Sequence, residues 1–295
     1  MSTFKIPTLK IKAADGPIGA EITGADVSMP LDDADFQTID DAIDRYAVVV
    51  IRDQDLTATA LADFSRRFGR PQVNVRHDAN NDGTPEVGWI SNVTKDGKPL
   101  GSHDAGRYWH SDLCYLENPS KLTVLNALEI PSKDGVTYGA TSFAGTAAAY
   151  DALSDDLKQR LDGLRASNSY RTMWNRKARE FNARPLLSDA ELEKYPPDAI
   201  HPVVRTHPKT GRKCLYICDG YTNAILDLPK AESDELLAFL FEHIIRSDFN
   251  YQHQWRVGDV LMWDNCAVQH KAAFDYAPPL RRLMQRCTIE GDAPF

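Results

Sequence analysis

The chain has 295 residues, 42% of them hydrophobic and 26% charged, with a formal net charge of −8. That length and composition suit a soluble globular protein with a sizeable core. The basic residues are dispersed, so no concentrated cationic face for nucleic acid is expected. With no uncharged apolar run of about 18 residues, no membrane-spanning helix is expected either. The polar opening "MSTFKIPTLKIKAADGP" lacks the apolar centre of a secretory leader. Cys114, Cys214, Cys218, Cys266 and Cys287, an odd and scattered set, offer no disulfide framework. A cytoplasmic location follows as the expectation.

In chain order, "GAEITGADV" (19–27) and the β-branched "YAVVVIRDQ" (46–54) read as strands. Between them, Phe36, Ile39, Ile43 and Tyr46 recur at helical spacing behind acidic residues suited to a first turn. A second helix is predicted over "TATALADFSRRFG", capped by Thr57 and stopped by Gly69. Residues 70–107 are rich in turn formers around one short strand, "EVGWIS", and are expected to form a lid or pocket cover. "KLTVLNALEIP" reads as a strand, and "AGTAAAYDALSDDLKQRLDGL" as two short helices. Residues 172–199 are a second excursion without strand periodicity, also expected to serve as a lid.

"HPVVRTHPKTGRKCLYIC" predicts a hairpin turning at Pro208–Gly211, and "AESDELLAFLFEHIIR" a strong helix. The C-terminal stretch from Tyr251 reads as two or three strands joined by tight turns, with Asp264 and Asn265 as turn residues closing a strand hairpin. No repeat or linker divides the chain. The expectation is one domain over 1–295, mainly β with flanking helices, a sandwich or jelly roll.

Two stretches carry chemistry. In "YWHSDLCY", read as a strand, His110 and Asp112 two apart would project to one face. A neutral imidazole and a carboxylate suit a divalent metal of intermediate hardness. The pair reads equally as a hydrogen-bonded histidine beside a solvated aspartate. "WDNCAVQH" ends on His270, and "RRLMQR" follows after a Pro-containing loop. On a strand Arg282 and Arg286, four apart, share a face that Arg281 does not. Two inward guanidinium groups call for an anionic partner, such as a carboxylate gripped bidentately.

These motifs, with "ADFSRRFGRP", "TSFAGTAAAYDALS", "HPKTGRKCLYI" and the terminal "GDAPF", resemble the taurine/2,4-dichlorophenoxyacetate dioxygenase family. The likeness runs from about Gly19 to Phe295. It implies a double-stranded β-helix of cupin-like, jelly-roll type and an oxidoreductase using Fe(II), 2-oxoglutarate and O2. Carried over position by position, the resemblance assigns the metal ligands and catalytic centre to His110, Asp112 and His270. It assigns the 2-oxoglutarate carboxylate to Arg282 and to Thr141, with Thr137 as the alternative threonine. Arg286 matches a position near either 2-oxoglutarate or an anionic substrate group.

The implied reaction hydroxylates a small organic anion, with release of succinate and CO2 and with or without later C–O or C–S cleavage. The retained carboxylate ligand Asp112 favours hydroxylation over halogenation. Gly106 stands where the taurine enzyme carries asparagine, which argues against taurine itself. Other readings compete: a cupin-like metalloenzyme without 2-oxoglutarate, a silent binding protein of the same fold, and a zinc hydrolase. A homo-oligomer is expected on the general frequency of symmetric assemblies.

The remaining candidates have blander readings. His77 and His103 lie in polar loops near the expected pocket mouth, touching substrate or standing in solvent. Trp109 and Trp263 read as core fillers, and Cys214 and Cys218 as spaced core thiols. His201, His207, His243 and His253 show no partner in the sequence.

Overall fold

The computed structural model describes residues 9–73, 80–81, 83–95, 97–181 and 185–295. His77 lies outside the described residues. The first elements are β1 (Lys10–Ala13), β2 (Ala20–Thr23), α1 (Asp33–Tyr46), β3 (Val48–Ile51) and α2 (Ala58–Arg66). The second helix is capped by Thr57 as its sequence predicts, and the first by Asp32, a cap not singled out in the sequence. Asp32 caps α1 by accepting the Asp35 N–H, and Thr57 caps α2 by accepting the Ala60 N–H. Strand β4 (Asn80–Asn81) and β5 (Thr84–Ser91) follow, then β6 (Ser120–Glu129) and β7 (Thr141–Gly145).

Next come α3 (Thr146–Asp151), α4 (Asp155–Leu161), β8 (Arg165–Asn168) and α5 (Tyr170–Phe181). Strands β9 (Ala199–Pro202), β10 (Val204–Thr206), β11 (Lys213–Leu215) and β12 (Thr222–Ile225) precede α6 (Lys230–Ile244). The C-terminal third adds β13 (Asn250–His253), β14 (Val260–Asp264), β15 (Val268–Ala272) and β16 (Leu283–Glu290).

Eight strands form the major sheet in the order β1-β2-β3-β14-β6-β16-β5-β4. A minor sheet, β13-β7-β15, faces it. Together they make a jelly roll. The run "VVVI" of β3 shows why its sequence lacks alternation: both of its faces are covered. Val48 and Val50 point between the sheets, where Leu125, Leu261, Trp263 and Met284 meet Phe143 and Val268 of the minor sheet. Val49 and Ile51 point the other way, into the layer filled by α1 and α2. A third cluster, Leu161, Leu215, Ile225 and Leu240 among others, seats α4 and α6 on the β8 and β11 side.

Three sequence expectations change. Strands β14 and β15 flank a tight turn but do not pair as a hairpin. The first joins the major sheet and the second the minor, so the turn carries the chain from one sheet to the other. The 172–199 stretch holds most of α5, a largely polar helix that buries Met173, Lys177 and Ala178. The segment around His110 is not a strand: His110 forms a single β-bridge to His270, and the chain turns at once. Among the described residues no helix is long and apolar enough to cross a membrane.

Candidate active site

The His110 bridge is made by two backbone hydrogen bonds, His110 N–H to His270 O at 3.1 Å and His270 N–H to His110 O at 2.8 Å. That bridge extends the minor sheet by one residue beyond β15 and brings the imidazole centroids to 4.1 Å. Asp112 follows in a turn, and Leu113 adopts φ 59°, a left-handed conformation that is uncommon for leucine. The shared-face argument of a strand therefore does not apply; a bridge followed by a sharp turn produces the convergence instead. Asp112 Oδ1 lies 3.6 Å from His110 Nε2, and Oδ2 lies 4.0 Å from His270 Nε2.

Hydrogen bonding fixes the His110 tautomer. Its Nδ1 faces two carbonyl oxygens, Tyr108 O at 2.9 Å and His270 O at 3.0 Å, and so must carry the hydrogen. In the neutral ring the Nε2 lone pair then points at a carboxylate oxygen. Two acceptors facing each other across 3.6 Å call for a cation between them. All three ligand atoms fall within 4.8 Å of one another and all three residues are buried. His270 is held by packing, against Trp263 at 4.7 Å and Phe143 at 5.9 Å, and its Nδ1 has no hydrogen-bond partner among the described residues.

Charge favours the same conclusion. Burial pushes the His270 imidazole down to about 3, so it is neutral and one of its ring nitrogens keeps a lone pair. Burial alone would raise the Asp112 carboxyl. With His270 neutral, the Arg286 guanidinium 3.7 Å from Oδ1 is the cation that opposes it and keeps the group below the ordinary carboxylate range. The donor set of two imidazoles and one carboxylate fits a non-haem iron(II) ion with open positions.

Two cavities meet at this trio. The inner one is lined by Thr141, Trp263, His270 and Arg282. The outer one, about 310 Å³, is lined by Asp112, Tyr115, Tyr170, Lys194, Tyr195 and Tyr221 among others. His110, Gly106 and Arg286 border both. Gly106 has φ 81°, and a Cβ there would come 3.2 Å from the Ala272 Cβ, so glycine fits this junction where a side chain would crowd it.

Arg282 and Arg286 both reach inward from the start of β16. Arg282 is 5% exposed, with Nε unpaired and no carboxylate ion pair among the described residues. Burial lowers its pKa. A buried guanidinium with no carboxylate ion pair, beside a cavity, suits an anion. Arg281 points out and pairs with Glu129 at 2.7 and 2.9 Å. Arg286 Nη1 lies 3.7 Å from Asp112 Oδ1. Thr141 opens β7, is buried, and accepts from Trp255 Nε1 at 3.0 Å. Thr137 is exposed in the short hairpin 132–137, away from both cavities. His103 is exposed, and the outer lining runs from Ser102 to Asp104 without it.

Sequence reasoning missed Thr123 and undervalued Asn265. Thr123 Oγ1 donates to Asp112 Oδ2 at 2.7 Å. Asn265 Oδ1 accepts the Asp112 N–H at 3.1 Å. Neither carries a local motif; only the register of β6 beside β14 brings Thr123 opposite Trp263. The lid helix was also hidden. Lys177 of α5 donates to Asp104 O at 2.7 Å, Glu180 accepts from Tyr108 Oη at 2.7 Å, and Arg107 stacks between Phe181 and Phe274. These contacts fasten α5 over the segment leading to His110.

The family model for the taurine catabolism dioxygenase TauD, TfdA family matches residues 10–288. This chain belongs to that family. It is thereby an Fe(II)- and 2-oxoglutarate-dependent oxidoreductase. Among curated proteins it is 33% identical over 288 residues to the alpha-ketoglutarate-dependent 2,4-dichlorophenoxyacetate dioxygenase of Cupriavidus pinatubonensis, covering 93% of this chain and 95% of that one. It is 31% identical over 286 residues to pentalenolactone F synthase of Streptomyces arenae, covering 94% of each. Among solved structures, AAD-2 in complex with Mn(II) and N-oxalylglycine superposes with a TM-score of 0.82 at 31% identity, over 97% of this chain and 98% of that one. A taurine dioxygenase from Burkholderia xenovorans gives a TM-score of 0.79 at 31% identity, over 98% and 93%.

Proposed function

We propose that His110, Asp112 and His270 hold Fe(II), that Arg282 and Thr141 receive the far carboxylate of 2-oxoglutarate in the inner cavity, and that a small organic anion is hydroxylated in the outer one. The observation that carries this reading is the junction itself: one buried trio with free lone pairs, bordering both cavities. N-oxalylglycine, present in the AAD-2 structure, differs from 2-oxoglutarate by an NH in place of a methylene, which supports the same use of the inner cavity here.

When bound, the metal and 2-oxoglutarate supply the oxidising power for O2 chemistry, with succinate and CO2 released. The protein's own part is binding, orientation and exclusion of water. Arg282 neutralises and orients the co-substrate's tail. The fixed His110 tautomer and the ionised Asp112 keep the ligand atoms ready. The tyrosines of the outer chamber and α5 above them form a water-poor enclosure.

That chamber also selects. Tyr115 and Tyr221 stack with centroids 5.4 Å apart, and Tyr170 and Tyr195 lie 4.7 Å apart. Aromatic walls favour a flat apolar body, and Lys194 and Arg286 supply cationic character for an anionic end. Relatives named for phenoxyacetate, sulfonate and alkylsulfate chemistry share the anionic feature. The test is anaerobic. Fe(II) and 2-oxoglutarate added to the protein should give a weak visible charge-transfer band, and an aromatic acid should perturb it more than an aliphatic sulfonate does. No band with the wild-type protein, or no 2-oxoglutarate-dependent succinate release in air with any anion, overturns the reading.

A further inference from the structure

The Asp112 carboxylate is aimed from behind. Thr123 Oγ1 donates to Oδ2 at 2.7 Å, and Thr123 Oγ1 in turn accepts from Asn265 Nδ2 at 3.0 Å. The direction of this chain is forced. Asn265 Oδ1 faces two groups that can only donate, the Asp112 N–H and the Trp263 Nε1–H, each at 3.1 Å. A flipped amide would oppose donor to donor twice, so Nδ2 faces Thr123 and Ser120. A hydroxyl has one hydrogen. With Nδ2 able only to donate, the Thr123 hydrogen goes to Asp112 Oδ2.

We infer that Asn265 and Thr123 are positioning residues of the metal centre: they commit Asp112 Oδ2 to a hydrogen bond and so hold Oδ1 toward His110 Nε2. The inference rests on the proposed reading of the trio as a metal centre. Neither residue borders the two cavities, and they are 1% and 0% exposed. They act on the chemistry only through the ligands. The same amide anchors the indole of Trp263, whose ring backs His270 at 4.7 Å. One side chain therefore sets two of the three ligands, Asp112 in its turn and His270 on β15. Partners of this kind that orient a ligand change metal affinity or activity by about 10–100-fold when removed.

The experiment compares wild type, Thr123→Val and Thr123→Ser, each checked by thermal melting. Fe(II) affinity is measured anaerobically by calorimetry, and the 2-oxoglutarate charge-transfer band is recorded on the same samples. Thr123→Val is expected to weaken Fe(II) binding by about 10–100-fold and to shift the band, while Thr123→Ser, which keeps the hydroxyl, restores both. Thr123→Cys, a weak donor of similar size, is expected to fall between them and serves if the valine variant does not fold. A folded valine or cysteine variant with wild-type affinity and band overturns the inference while leaving the metal centre standing. Wild-type protein that binds no Fe(II) overturns both.

Discussion

His110, Asp112 and His270 form one buried trio, and His207, Asp264 and Cys266 form another, each with ligand atoms within 4.8 Å. Their compositions would suit a metal equally well. What differs is where the lone pairs point. His207 Nδ1 accepts the N–H groups of Lys209 and Thr210 at 3.2 and 3.1 Å, so its Nε2 carries the hydrogen and donates to Asp264 Oδ2 at 2.6 Å. Asp264 Oδ1 accepts the Cys266 N–H at 2.7 Å. Burial pushes the Cys266 thiol up and keeps it protonated. This second trio is a closed latch between the β10–β11 hairpin and the end of β14. In the first, the carbonyls around His110 Nδ1 turn the opposite nitrogen's lone pair toward a carboxylate that burial cannot protonate. Proximity of ligand-type residues is not a metal site; unoccupied lone pairs facing a common point are.

Removing a ligand from each trio separates the two roles. Asp112→Ala is expected to abolish 2-oxoglutarate-dependent succinate release with the fold retained; a purified variant with normal succinate output would contradict the assignment. His207→Ala should leave Fe(II) stoichiometry at one per chain. It removes a buried hydrogen bond to a carboxylate, which costs about 1.5–3 kcal/mol, and calorimetric melting measures that loss. A drop in metal stoichiometry with unchanged stability would reverse the roles given to the two trios.

The inner cavity offers a finer contrast. Thr141→Val removes a hydroxyl that would bond a carboxylate, an interaction worth about 1.5–3 kcal/mol, so KM for 2-oxoglutarate should rise about tenfold or more. Thr137→Val, on the exposed hairpin, should leave it unchanged, and equal effects would remove the distinction.

The smallest effect concerns histidines outside both trios. Burial lowers the pKa of His253 and of His201 below the ordinary 6.5. The unfolded chain then takes up protons before the folded one does. Their contribution to stability is complete above pH 6.5 and declines as pH falls through 6.5 toward the folded values. Melting temperature should fall on acidification through that window, and His201→Gln should flatten the slope.

Much of this was legible from the sequence because it is local. The cap Thr57 needs only a side-chain oxygen three residues before a free N–H. The two inward arginines need only the period of a strand, which also turns Arg281 outward to Glu129. The motif residues His110, Asp112 and His270 announce themselves by type and order. What the sequence could not contain is how distant segments register against one another. His110 and Asp112 converge through a bridge to His270 and a left-handed Leu113, not along a strand. Asn265 looked like a turn former and is instead the amide that orients Asp112, Thr123 and Trp263 together. His207 seemed partnerless, and Asp264, 57 residues on, closes its hydrogen bond. Amino-acid order determines residue chemistry and short-range geometry. The direction in which a buried lone pair points depends on donors and acceptors brought in by other strands, so only the tertiary structure decides which trio is closed by its own hydrogen bonds and which is not.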